Sequence, residues 1–277
     1  MRAPVTSPSL PLFSSADAAA LAQVTWLCFD VDDTLTVEGL LPVEAHQALV
    51  DAHHAGFKLM AVTGRSLSWA EMLLRVFPLD MAVGETGAAC FIKREGGRVE
   101  VVHAEPDEAV RQENTRKRKR AEADVRQQVA AARLATDNIG RVYDSAFDLV
   151  EDGPLVEEKD ASRIRDILRG HGLTVAQSSV HINAWFGDFD KAAMVDRVLR
   201  QEEGAPLDDM AHRVVYVGDS KNDGSMFCRT PWAVGVANIA PHLEALSADG
   251  KAPKFVVEGQ GGHGFAEVVR TLVQARG

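Results

Sequence analysis

Hydrophobic and polar positions follow two different periods along this chain. Residues 24–29, Val-Thr-Trp-Leu-Cys-Phe, are apolar without strict alternation, the pattern of a strand buried on both faces of a sheet, and the run ends in acids. Residues 42–55 predict a helix, because proline suits a first helical turn, Leu49, Val50 and His53 share a face, and Gly56 supplies a stop. A second strand is predicted over 57–63. Ser68 and Glu71 have capping-box spacing, Trp69, Leu73, Val76 and Phe77 form one apolar stripe, and Pro78 ends the helix they predict. A short strand over 80–84 follows. Strands and helices that alternate through short connections predict a parallel, doubly wound, Rossmann-like sheet.

The period then changes. Residues 88–93 and 98–103 flank a Glu95-Gly96-Gly97 turn and predict an antiparallel hairpin. A charged helix over 107–134, a strand over 146–151, a helix over 161–170 and two strands within 173–186 complete a mixed unit. The parallel pattern resumes with a helix over 190–201, capped by Asp190 and stopped by Gly204, and with apolar strands over 213–218, 232–236 and 255–257. The expected organisation is an exposed leader at 1–22, a core built from 23–84 and 188–277, and an α+β domain inserted at 85–187.

Composition narrows the class. The 277 residues are 46% hydrophobic and 25% charged, which excludes a collagenous or disordered chain. A net charge of −10 argues against general attraction to nucleic acid or anionic membrane, so an anionic ligand needs a local device. Cys28, Cys90 and Cys228 have no disulfide or metal-site spacing, which implies a reducing compartment, and a cytoplasmic location is expected. Pro4, Pro8 and Pro11, with Ser14 and Ser15 directly after Phe13, interrupt any apolar start, and no run approaches the roughly 20 apolar residues of a membrane span.

The candidate chemistry sits at predicted strand ends, where open parallel sheets bind ligands. Asp30-Val31-Asp32-Asp33-Thr34 closes the first strand, and residues two apart in extended chain point the same way, so Asp30 and Asp32 can converge. Gly218-Asp219-Ser220-Lys221-Asn222-Asp223 closes another strand and adds two acids. Four carboxylates without His or Cys make a hard oxygen site that suits Mg²⁺. Thr63 at the end of the second strand and Lys191 at a helix start are donors able to hold phosphoryl oxygens.

In that order, Asp30-x-Asp32-x-Thr34, Thr63, Lys191 and Gly218-Asp219-x-x-Asn222-Asp223, the chain resembles the haloacid dehalogenase-like hydrolases, from about Val24 onward. The resemblance implies that Asp30 is a nucleophile that becomes phosphorylated and Asp32 a general acid/base whose backbone carbonyl faces the metal. It further implies that Asp30 and Asp219 bind Mg²⁺, with Asp223 ligating it directly or through water, while Thr63 and Lys191 hold the phosphoryl group. An acid at position 32 points to a phosphatase or mutase. The insert between Thr63 and Lys191 resembles the larger cap of the sugar-phosphatase branch. Gly84-Glu85-Thr86-Gly87 departs from the Glu-Asn-Gly often found there.

The expected substrate is a small phosphorylated metabolite, a sugar phosphate first, with a phosphosugar mutase as the alternative. In the closing cap strand His181, Asn183 and Trp185 alternate with Val180, Ile182, Ala184 and Phe186, and an open face would bring the first set to the leaving group, Trp185 by stacking on a sugar. Arg65 and Asn222 are further substrate-binding candidates beside the phosphate. The basic run Arg116-Lys117-Arg118-Lys119-Arg120 offers a polyanion-binding alternative, but Glu113, Glu122 and Asp124 suggest a solvated helix face instead.

Overall fold

The structure, a computed structural model, describes residues 10–178 and 180–277. In chain order its elements are α1 (Ala18–Leu21), β1 (Trp26–Phe29), α2 (Val43–His54), β2 (Lys58–Val62), α3 (Leu67–Val76), β3 (Met81–Gly84), β4 (Ala89–Lys93) and β5 (Val99–His103). There follow α4 (Glu108–Gln128), β6 (Asp144–Asp148), α5 (Glu158–Gly170), β7 (Thr174–Gln177) and β8 (His181–Trp185). The chain closes with α6 (Lys191–Glu203), β9 (Val214–Gly218), α7 (Gly224–Phe227), β10 (Trp232–Gly235), α8 (Leu243–Ala248), β11 (Phe255–Val256) and α9 (Gly261–Arg276).

An eight-stranded sheet runs β11-β10-β9-β1-β2-β3-β4-β5, parallel from β11 to β3. β1 lies at its centre, and Trp26, Leu27, Cys28 and Phe29 are all buried, as an apolar run covered on both faces requires. Phe29 packs with Phe265 of α9 on one face, and Cys28 packs with Met60, Tyr216 and Val195 on the other. From β1 the chain winds outward to β2 and β3, and after the insert it returns on the opposite side at β9. The winding therefore reverses between β1 and β9, and ligands bind open α/β sheets at the carboxyl ends flanking such a reversal.

Several expectations shift. The hairpin placed at the start of the insert instead continues the core sheet, with β4 pairing antiparallel on β3 and β5 on β4. The apolar side chains of Cys90 and Ile92 need the cover that the core helices provide. The remaining insert forms its own sheet, β6-β8-β7, on which α4 and α5 pack through Val125, Phe147, Ile164, Leu168 and Ile182.

The leader is also tighter than expected. Residues 1–9 lie outside the described residues, but Leu12 bridges to Val256 and Phe13 is buried edge-on against Phe255. α3 starts at Leu67, without a side-chain cap from Ser66, and buries Leu67, Ala70, Leu73 and Leu74. Trp69 and Val76, expected in its apolar stripe, lie off that buried face and keep exposed surface. α4 ends six residues early, since Leu134 pairs with Phe147 as an isolated bridge. Arg118 of the basic run is buried on Glu122 and Ser145, so that run is not a uniform solvated face. No helix among the described residues is long and apolar enough to cross a membrane.

Candidate active site

β1 ends by handing its chain to Asp30, whose amide still bonds to Val217 of β9. The following turn is tight, with Asp33 in the left-handed region at φ 55°. α6 brings Lys191 to the same place: Asp190 caps the helix by accepting from the Ala193 amide at 2.8 Å, and Gly204 closes it at φ 72°. Gly87 is required here. It sits at φ 109°, and a Cβ on it would lie 2.1 Å from the Asp190 carbonyl oxygen.

Lys191 Nζ is fully buried between Asp30 Oδ1 at 2.8 Å and Asp223 Oδ1 at 2.7 Å. The Tyr216 hydroxyl donates to the same Asp223 oxygen at 2.5 Å, and Asn222 Oδ1 lies 3.4 Å from Lys191 Nζ. The other Asp223 oxygen accepts the amides of Asp219 and Ser220, which folds the 219–223 loop back on itself. Gly218 permits this, since a Cβ there would lie 2.6 Å from Asp223 Oδ2. Asp219 accepts from the Thr34 hydroxyl at 3.1 Å.

Oxygens of Asp30, Asp219 and Asp223 come within 4.8 Å of one another, all buried. One ammonium cannot balance three carboxylates in low dielectric. Burial, reinforced by Asp223 and Asp32 and opposed by Lys191, pushes the Asp30 carboxyl up to about 7. Burial and the charges of Asp223 and Asp30 raise Asp219 well above the carboxylate range. Burial alone would lower Lys191, but Asp223 and Asp30 raise it, so the ammonium stays charged. An all-oxygen, electron-rich cluster with a residual negative charge fits a divalent cation of the Mg²⁺ type.

Thr63 is buried, and its hydroxyl oxygen accepts the Arg65 amide at 3.0 Å, which leaves the hydroxyl proton for another acceptor. Asp32 does not join the carboxylate cluster through its side chain. Arg65 grips it, with Nε 2.9 Å from Oδ2 and Nη2 2.7 Å from Oδ1, and the far edge of the same guanidinium holds Glu151 at 3.0 and 2.7 Å. Both edges of the Arg65 guanidinium, expected beside the phosphate, thus lie on carboxylates of the chain itself.

The cap residues divide in the same way. His181 Nε2 lies 3.1 Å from Glu151 Oε2, at the end of the Asp32–Arg65–Glu151 chain, without the alignment of a hydrogen bond. Asn183 donates to Asp144 at 2.7 Å, and Trp185 stacks on Phe189 beside Ala88. All three are buried, so β8 has no open polar face. The Trp185 ring, expected to stack on a sugar, lies stacked on Phe189.

Glu151 and Glu85 were not singled out from sequence. Glu85, buried at φ 46°, accepts the amide of Leu67 in the core and those of Val142, Tyr143 and Asp144 in the cap. Burial and the Asp144 charge raise it to about 7, with Arg141 opposing. Arg141 in turn donates to the Gly64 carbonyl and to Asp144 at 2.9 Å. Glu85 stands in the Gly84-Glu85-Thr86-Gly87 segment read at the start of the insert, where the departure noted was Thr86, whereas nothing local marks Glu151.

No protein-family profile matches the chain. It is 28% identical over 250 residues to a phosphoglycolate phosphatase of Pyrobaculum islandicum, covering 89% of this chain and 95% of the relative. A phosphoglycolate phosphatase of Methanothermobacter thermautotrophicus is 24% identical, with 89% and 98% covered. Among solved structures, Thermoplasma acidophilum 0175 superposes with a TM-score of 0.69 at 18% identity, over 90% of this chain and 98% of that one. The sucrose-phosphatase of Synechocystis, solved with sucrose and phosphate, gives 0.59 at 16% identity with the same coverage. Similarity along nearly the whole chain thus joins a shared fold and the ordered site residues: the chain is similar to phosphoglycolate phosphatases and has the fold of the haloacid dehalogenase-like hydrolases.

Proposed function

We propose that the protein is a Mg²⁺-dependent phosphomonoesterase acting on a small phosphorylated metabolite through a phosphorylated Asp30. The observation that carries this reading is the buried cluster of Asp30, Asp219 and Asp223 around Lys191 at the reversal of sheet winding. Asp30 and Asp219 would hold the ion with the backbone carbonyl of Asp32, and Asp223, whose oxygens already accept from Lys191, Tyr216 and two amides, would join directly or through water. Bound there, Mg²⁺ would neutralise phosphoryl charge and orient the group for in-line attack.

The chain's own residues perform the rest. Lys191 holds the Asp30 carboxylate in place and stays cationic, so one Asp30 oxygen is presented for attack on phosphorus. Bond formation from Asp30 to phosphorus accompanies cleavage of the ester bond, and Asp32 delivers a proton to the departing alkoxide. Thr63 donates its free hydroxyl proton to a phosphoryl oxygen, and Lys191 adds charge there. Asp32 then takes a proton from water, which attacks phosphorus and releases phosphate from Asp30. The cap, pinned by Glu85 and Arg141, limits bulk water.

A small leaving group suits this cap, because Trp185 and Asn183 are committed to packing and to Asp144. The relatives named phosphoglycolate phosphatases support a phosphorylated hydroxy acid at least as well as a sugar phosphate. The test is phosphate release from a panel spanning both classes, with Mg²⁺ or chelator, for wild type and Asp30→Asn. Metal-dependent release lost in Asp30→Asn is expected. Release unaffected by either chelator or substitution overturns the proposal.

A further inference from the structure

One chain of contacts links the acid/base to the cap. Arg65 is 6% exposed and divides its guanidinium between two carboxylates, Asp32 of the core and Glu151 of the insert. Such a fork is planar, so fixing one edge fixes the direction of the other. Glu151 is itself delivered by a built turn. The buried Asp148 carboxylate accepts the amides of Val150, Glu151 and Asp152, at 3.1, 2.7 and 3.2 Å, and folds the segment after β6 toward the core. His181 stands behind Glu151, and the His181 ring together with Arg65 holds the Glu151 carboxyl down to about 2.

Resting on the phosphomonoesterase reading, we propose that Glu151 is a positioning residue for the reaction, acting through Arg65 to aim Asp32 at the leaving oxygen only when the cap is docked. Without Glu151, Arg65 keeps its charge but loses the anchor that orients its Asp32 edge. Proton delivery to the leaving group then suffers, while nucleophile, ion site and phosphoryl contacts remain. This couples cap docking to chemistry, because the acid/base is fully held only when a cap carboxylate is in place.

The experiment compares kcat/KM for wild type, Glu151→Gln, Glu151→Asp, Arg65→Lys and the Arg65→Lys/Glu151→Gln double variant on two substrates with Mg²⁺. One is the fastest alkyl phosphomonoester of the panel, whose alkoxide needs a proton. The other is para-nitrophenyl phosphate, whose phenolate departs without one. Glu151→Gln is expected to lower the alkyl value on the order of tenfold and to leave the aryl value within about twofold. Glu151→Asp, which keeps the carboxylate, recovers part of the loss. The double variant is no slower than the slower single variant, since both break one chain of contacts. Equal losses on both substrates, or losses that multiply in the double variant, overturn the inference while leaving the phosphomonoesterase intact. A wild type that hydrolyses neither substrate removes both.

Discussion

Lys191 and Asp223 face each other at 2.7 Å with no side-chain surface open to solvent, and the next contact of that ammonium is Asp30. The lysine is thus the internal counter-charge of a site that must collect carboxylates before any ion arrives. Lys191→Met leaves three buried acids with no cation. It should cost about 3–5 kcal/mol in chelator, the scale of a broken buried pair. Urea midpoints with and without added Asp223→Asn check this, and the second substitution should recover part of the loss. An unchanged midpoint for Lys191→Met counts against the arrangement.

The raised Asp30 carboxyl makes Mg²⁺ stabilisation depend on pH. Its folded value of about 7 lies above the ordinary carboxylate value, so between the two the folded state keeps a proton that the unfolded chain has released. Stability from this group is therefore lost as pH rises through that window, and Asp219 is shifted in the same direction. An ion that replaces the proton reverses the loss. The rise in Tm produced by Mg²⁺ should be larger at about pH 8 than at about pH 5, and Asp30→Asn should flatten the difference. Equal increments at both pH values contradict the assignment.

Gly218 leaves no space for a methyl group beside Asp223. Gly218→Ala should displace that carboxylate, and a shift of this kind in a reacting geometry costs on the order of 10²-fold in kcat/KM. The far-ultraviolet spectrum should stay that of the wild type while the apparent affinity for Mg²⁺ falls. Full activity in this variant would show that Asp223 has freedom the structure denies it.

Glu85 accepts amides from core and cap together. Glu85→Gln keeps the shape but presents an NH₂ group to donors, and it should cost about 3 kcal/mol by urea denaturation. Limited proteolysis should then cut first near the hinge.

Trp185 separates packing from substrate stacking. Because its ring lies on Phe189 and is 3% exposed, Trp185→Ala should cost about 3 to 5 kcal/mol. A raised KM with unchanged stability would restore the sugar-stacking expectation instead.

What the sequence by itself determined was local. Apolar runs without alternation specify the central strands, and acids at their ends specify where charge collects. The order Asp30, Thr63, Lys191, Asp219 and Asp223 could be read because each stands beside its own strand end or helix start, a relation the local pattern carries. Asp190 and Gly204 bounded α6 for the same reason, since a cap and a left-handed stop act within a few residues.

Only the tertiary structure decided the partners. Arg65 and Glu151 are 86 residues apart, and Asp32 and Arg65 33 apart, so no periodicity links them. The hairpin looked separate because antiparallel pairing is a local signal, whereas its attachment to β3 depends on which edge is left open for burial. The alternation of β8 reported two faces correctly, but what covers a face is a property of the neighbours. Here Asp144, Glu151 and Phe189 cover it, and residues chosen as contacts for a ligand became the joints of the cap.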